Sequence, residues 1–181
     1  MQLEKINYGL FSLGQTPYLQ EIANTQRLLG DWEQSHKALD QFYMVNEKNF
    51  GEKDLRMLPI IESMLDWHAE SYNVRDPRDS FPSLSAMERL AAKMHIILDD
   101  SADLGDPSTP EKYLRIGKIQ YMLARHIKDF GLPQESGMSI TTDRYATDRN
   151  SPLTSHNYYS RGSAALQKVV KSVMELSLIH I

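Results

Sequence analysis

The chain contains no cysteine, which excludes disulfide scaffolds, thiolate metal sites and cysteine nucleophiles. The same absence leaves the compartment open, because exported chains also dispense with cysteine. No apolar run approaches the ~20 residues of a membrane helix, and the opening Met1–Lys5 lacks the basic-then-apolar pattern of a leader. Positive charge is not in excess. Twenty Lys+Arg stand against 24 Asp+Glu for a net charge of −4, so nucleic acid is not an expected partner. There is no Gly-x-Gly-x-x-Gly, Walker or Gly-x-Ser-x-Gly motif, and with them go the phosphate cradle and the nucleophile elbow. What remains is a chain of 181 residues, 41% hydrophobic and 24% charged. That is the balance of a soluble globular protein, cytoplasmic or exported, forming one domain or a short repeat array.

An internal repeat is the first positive signal. Asn7-Tyr8-Gly9 returns as Asn49-Phe50-Gly51 and Pro17 returns as Pro59, both after 42 residues. In the same register Leu13 falls on Leu55, Leu19 on Ile61 and Ile22 on Met64, keeping apolar class while polar residues vary. Each unit has a helical period. Leu19, Ile22, Ala23 and Gln26 share one face, Thr16-Pro17 opens that helix as cap and first-turn proline, and Gly30 closes it. A second helix follows Asp31 to about Asn49, with Trp32, Ser35, Leu39, Phe42, Tyr43 and Val45 or Asn46 near its stripe, and Gly51 ends it in a left-handed geometry.

The second unit is expected from about Asp54 to Tyr72, with Leu58, Ile61, Met64, Leu65 and His68 on one side and Pro59 in the first turn or at a kink. A long loop, Asn73 to Pro82, leads to a helix from Ser83 or Ser85 to about Asp99, which turns Leu84, Met87, Leu90, Ala91, Met94 and Ile97 or Leu98 inward. A third hairpin opens at Thr109-Pro110-Glu111 and runs through Ile127 on Tyr113, Ile116, Gly117, Gln120, Leu123 and Ala124. Leu132–Ser155 has no apolar period and reads as a long loop, functional or disordered. A last helix spans Ser155 or His156 to about Glu175, with Tyr159, Gly162, Ala165, Leu166, Val169, Val170 and Val173. The pattern predicts about seven helices, no strand, and an all-α fold.

A helix–turn–helix unit at this period resembles the tetratricopeptide repeat. Residues 16–50 look like one repeat: Leu19 and Ile22 at inner apolar positions, Ala23 where helices meet, Gly30-Asp31-Trp32 as the turn, and Ser35 where a small residue usually sits. Phe42 and Leu65 depart from small residues of that pattern, and unit two lacks the Gly-Asp turn. Asn7-Tyr8-Gly9-Leu10-Phe11-Ser12 with Gln15, Leu29-Gly30-Asp31, Leu58-Pro59…Asp66-Trp67 and Tyr159-Ser160-Arg161-Gly162…Ala165-Leu166 are further similar to segments of bacterial repeat proteins. The likeness implies a right-handed helical-hairpin solenoid of about three helix pairs over residues 1–175, with units near 9–50, 51–100 and 105–175. It also implies a parent chain extending in both directions, with Met1 internal. Leu176–Ile181 instead resembles translated sequencing-library adapter. Residues 176–181 are therefore set aside as an artefactual tail of a gene fragment, and His180 is no ligand.

For chemistry, Glu33 and His36 form the one Glu-x-x-His, where a di-iron bundle needs two such motifs and two more Glu. His36 is expected at solvent or groove, and His68 and His126 in the core or at its boundary. His95 and Asp99, four apart, supply only two ligands. The acidic turn Asp99–Asp106 has the wrong spacing for a Ca²⁺ loop. Neither a catalytic set, a metal site nor a cofactor is expected. Stacked hairpins line a concave face with the first helix of each pair. Counting from Thr16, that face carries Gln20, Asn24 and Arg27, and 42 residues on, Glu62, Asp66 and Ala69. Asn and Arg suit a peptide backbone or carboxylate, and the two acids suit a basic patch. The expected function is a non-catalytic scaffold binding a protein or peptide partner in that groove. The alternatives are a small helical metal-binding bundle or enzyme around Glu33 and His36, and a passive spacer between domains.

Overall fold

The computed structural model describes residues 9, 11–76, 79–101, 107–130, 162–168 and 170–171. These residues are helical or in turns, with no strand among them. Five helices follow a short 3-10 turn at Leu13–Gln15: α1 (Thr16–Leu28), α2 (Trp32–Phe50), α3 (Met57–Val74), α4 (Phe81–Ser101) and α5 (Thr109–Phe130). Residues 162–168 are also helical. The expected loop 132–155, the tail 176–181, the motif residues Asn7 and Tyr8, and most of the acidic turn lie outside the described residues. The chain forms two compact units, Met1–Trp67 and His68–Ile181, and passes from one to the other inside α3.

In the first unit a two-residue turn does the work of both a stop and a start. Gly30 takes φ +77, a left-handed geometry that a Cβ would strain. Its N–H donates to the Arg27 carbonyl at 3.0 Å while the Asp31 N–H reaches the Gln26 carbonyl at 2.9 Å. This is the crossed pair of bonds that satisfies the last carbonyls of a helix. Asp31 then opens α2, its Oδ1 accepting from the Gln34 N–H at 3.0 Å. The two helices meet at small residues: Ser35, fully buried, donates its hydroxyl to the Ala23 carbonyl at 2.7 Å. Leu19, Phe42 and Val45 make the core of this unit, with Ile60 of α3 packed on it.

The lead-ins to α1 and α3 share a hydrogen-bond pattern 42 residues apart. Gly9 and Gly51 have φ +90 and +97, which suits glycine alone. Gly51, at ψ 151, lies in the extended mirror region instead of the left-handed helical one expected. Ser12 N–H donates to Gly9 O and Asp54 N–H to Gly51 O, both at 3.4 Å. Gln15 N–H then donates to Ser12 O at 3.0 Å and Met57 N–H to Asp54 O at 2.9 Å. The Ser12 hydroxyl accepts from Gly14 N–H, and the Asp54 carboxylate accepts from Arg56 N–H. A proline follows in each first turn, Pro17 and Pro59. Thr16 is not the cap of α1 but lies one residue inside it, because its hydroxyl donates backwards to the Leu13 carbonyl at 2.8 Å.

In the second unit burial dominates. Along α4, Ser83–Glu88 are buried without a break, and Leu90, Ala91, Met94, Ile97 and Leu98 follow. This helix starts at Phe81, ahead of the expected Ser83, because Pro82 fits a first turn where no N–H is needed. Ser83 donates to the Ser71 hydroxyl at 3.0 Å, tying the start of α4 to the last turns of α3. On α5 the expected stripe of Tyr113, Ile116, Gly117, Gln120, Leu123 and Ala124 is buried throughout. Gly117 and Gly162 bring α5 and the 162–168 helix to backbone contact. A Cβ on Gly162 would lie 3.3 Å from the Tyr121 ring and 3.4 Å from the Gly117 carbonyl oxygen. Val170, among the apolar residues expected on the last helix, is 54% exposed.

Candidate functional site

The expected groove residues fall on helix faces beside the buried stripes. On α1, Gln20 and Asn24 are exposed and Arg27 is half-buried, all flanking Leu19 and Ala23. On α3, Glu62 is half-buried and Asp66 exposed, flanking Ile61 and Leu65 in the same register. Gln20, Asn24 and Arg27 share one helix face by i, i+4 and i+3 spacing, and Glu62 and Asp66 share another. All five belong to the first unit. Within this unit α3 is tied to α2, because Trp67 of α3 donates its indole N–H to the Ser35 hydroxyl at 2.9 Å. The Trp67 ring lies edge-on to Trp32, centroids 5.5 Å apart, and to His36 at 5.4 Å.

Glu33 and His36 are engaged elsewhere. Glu33 accepts from Lys37 at 2.7 Å, a bond that raises the lysine pKa. His36 sits 3.3 Å from Asp40 as well as on Trp67. His95 and Asp99 do come together, with Nδ1 to Oδ2 at 3.8 Å. No group of three or more His, Asp or Glu able to hold a metal ion occurs among the described residues.

Sequence reading missed a tight polar cluster in the second unit. Lys168 donates to both Asp99 carboxylate oxygens at 2.6 Å, and Tyr113 donates to Oδ1 at 2.8 Å. The Lys168 ammonium lies 5.4 Å from the Tyr113 ring centre. Burial pushes the Asp99 carboxyl up, but the bonds from Lys168 and Tyr113 outweigh it and hold the group below its ordinary range. Burial, then the bond to Asp99, pushes the Tyr113 phenol well above its own. General acid–base work wants a pKa near the working pH, and these two are driven away from neutrality on opposite sides. The cluster is a fastening of the 162–168 helix onto α4 and α5. No signal in the sequence links Asp99 to a lysine 69 residues away.

His126 and His68 are in the core, 2% and 1% exposed. His126 is ringed by Tyr72, Phe81 and Phe130 with centroids 6.1, 5.4 and 5.0 Å away, and its buried Nδ1 has no hydrogen-bond partner. Burial lowers its pKa, with Asp129 opposing. Among the described residues no helix is long and apolar enough to cross a membrane. No family model matches this sequence, and no match is found among curated proteins or among solved structures.

Proposed function

We propose that this chain is a tetratricopeptide-type array of right-handed helical hairpins that serves as a non-catalytic scaffold. It would bind an extended peptide, or a segment of a partner protein, across the polar faces of α1 and α3. The observation that carries this reading is the shared register. Gln20 and Asn24 on α1 and Glu62 and Asp66 on α3 occupy positions 42 residues apart on helices whose lead-ins make the same hydrogen bonds. Side chains so placed present a regular row of amide and carboxylate groups. The row is held on helices whose inner faces are fixed by Ser35 and Trp67, so binding would require little ordering of the scaffold.

Selection from a displayed peptide library with the full chain, followed by titration of a retained peptide, tests this. The triple variant Gln20→Ala/Asn24→Ala/Arg27→Ala is expected to weaken that peptide at least about tenfold, some 1.4 kcal/mol, with helicity intact. Equal affinity for both chains would move binding off this face. A library that yields no peptide would leave the array as a spacer.

A further inference from the structure

Because α1 and α3 share a register 42 residues apart, their faces can be matched position by position. On the face centred on Leu19 and Ile61 burial agrees: these two are 1% and 0% exposed, and Ala23 and Leu65 are 2% and 0%. One face disagrees. Tyr18, Ile22, Thr25 and Leu29 run at i, i+4, i+7 and i+11 along a single stripe of α1 and its cap. Tyr18 and Leu29 are 49% and 73% exposed, Thr25 is exposed and Ile22 half-buried. Their counterparts on α3 are Ile60, Met64, Trp67 and Ser71. Ile60 is half-buried, and the other three are 4%, 8% and 1% exposed.

Part of what covers the α3 stripe is the α1–α2 hairpin itself. Ile60 packs on Leu19, Phe42 and Val45, and Trp67 packs on Trp32 while bonding Ser35. The α1 stripe continues that same interface one step earlier in register. We infer that Tyr18, Ile22, Thr25 and Leu29 form a docking surface for a helical hairpin of the α1–α2 pattern. The docking hairpin presents a small residue at the Ser35 position and an apolar ridge at the Phe42 and Val45 positions. Tyr18 takes the place of Ile60 on that ridge. Thr25 stands where Trp67 meets the small residue. This surface lies on a different face from Gln20, Asn24 and Arg27, so it stands or falls apart from the peptide-binding reading.

The test supplies the occupant. A second copy of residues 9–50 is inserted directly ahead of Gly9 in the full chain, preserving the 42-residue step. Helicity is expected to rise in proportion to the added length, and the melting midpoint to rise by about 5 °C or more as the new interface forms. Tyr18→Glu/Leu29→Glu in the original copy should abolish the rise, while shifting the midpoint of the unextended chain by less than about 2 °C, since both side chains are exposed there. Two extra residues between the copies should abolish it as well. As the chain has no cysteine, Thr25→Cys paired with Ser35→Cys of the added copy gives a unique site for a short bismaleimide, expected to cross-link in the native state. An added copy that stays unfolded, a midpoint that does not move, or a rise that survives the glutamates or the broken register would each overturn the inference. So would failure of the cross-link in a folded extended chain.

Discussion

The α1–α2 hairpin is organised by two turn residues, whereas α4 and α5 are organised by what they bury. In the first, Gly30 and Asp31 end one helix and begin the next, and much of both outer faces stays in water, with Leu28 and Leu29 78% and 73% exposed. In the second, α4 is enclosed on nearly every side over Ser83–Glu88, and Gly117 and Gly162 let backbone meet backbone. A hairpin specified by local chemistry needs few tertiary contacts to choose its shape. A buried helix is specified mainly by the sum of its neighbours.

The sharpest way to break that comparison is at Trp67, where the locally specified unit does rest on a tertiary contact. Trp67→Ala removes a side chain that is 8% exposed together with its bond to Ser35, and should cost about 3–5 kcal/mol in chemical denaturation. A loss below about 1 kcal/mol would mean that the hairpin stands without it. Trp32 is then the one tryptophan left of two, and its emission reports the first unit directly. Next in size, Gly30→Ala should cost about 1–2 kcal/mol through backbone strain alone, since a Cβ there meets nothing within 4 Å. Equal stability would show that the turn tolerates another geometry.

The smallest effect belongs to the second unit. His126 has its pKa lowered by burial, so the folded chain binds fewer protons than the unfolded one and stability rises with pH through this group. The stability held above the unfolded value of about 6.5 is lost progressively as pH falls from there toward the lower folded value. Melting midpoints measured from about pH 7.5 to 5.5 should therefore decline, and His126→Phe should flatten the decline. A slope unchanged by that substitution would assign it to other groups.

The sequence made some of this legible and hid the rest for physical reasons. The Gly30-Asp31 turn was readable because a positive φ and an N-cap each demand a narrow set of residues. The stripes on α3, α4 and α5 were readable because burial follows the helical period: Leu58, Ile61, Met64, Leu65 and His68 are all buried as expected. Helix starts were harder. Pro82 breaks a helix in its interior but not in its first turn, and Thr16 turned its hydroxyl back to Leu13 instead of forward. For the candidate site, register placed Gln20, Asn24 and Arg27 off the core, but periodicity does not report what a polar face binds. Asp99, Tyr113 and Lys168 were invisible because their meeting is long-range, and a single chain read in order carries no record of it.

That separation has a consequence for the order in which the molecule assembles. The contact between Ser35 and Ala23 closes over 12 residues, whereas Lys168 reaches Asp99 over 69. Loop-closure entropy grows with separation, and a nascent chain is made from its N-terminus. The first hairpin can therefore fold as soon as it is synthesised, while the Asp99 carboxylate and the neutral Tyr113 phenol wait unfastened until Lys168, 69 residues beyond Asp99, has emerged. The lysine clamp arrives well after the residues it fastens, and the second unit is exposed to misassembly in the interval.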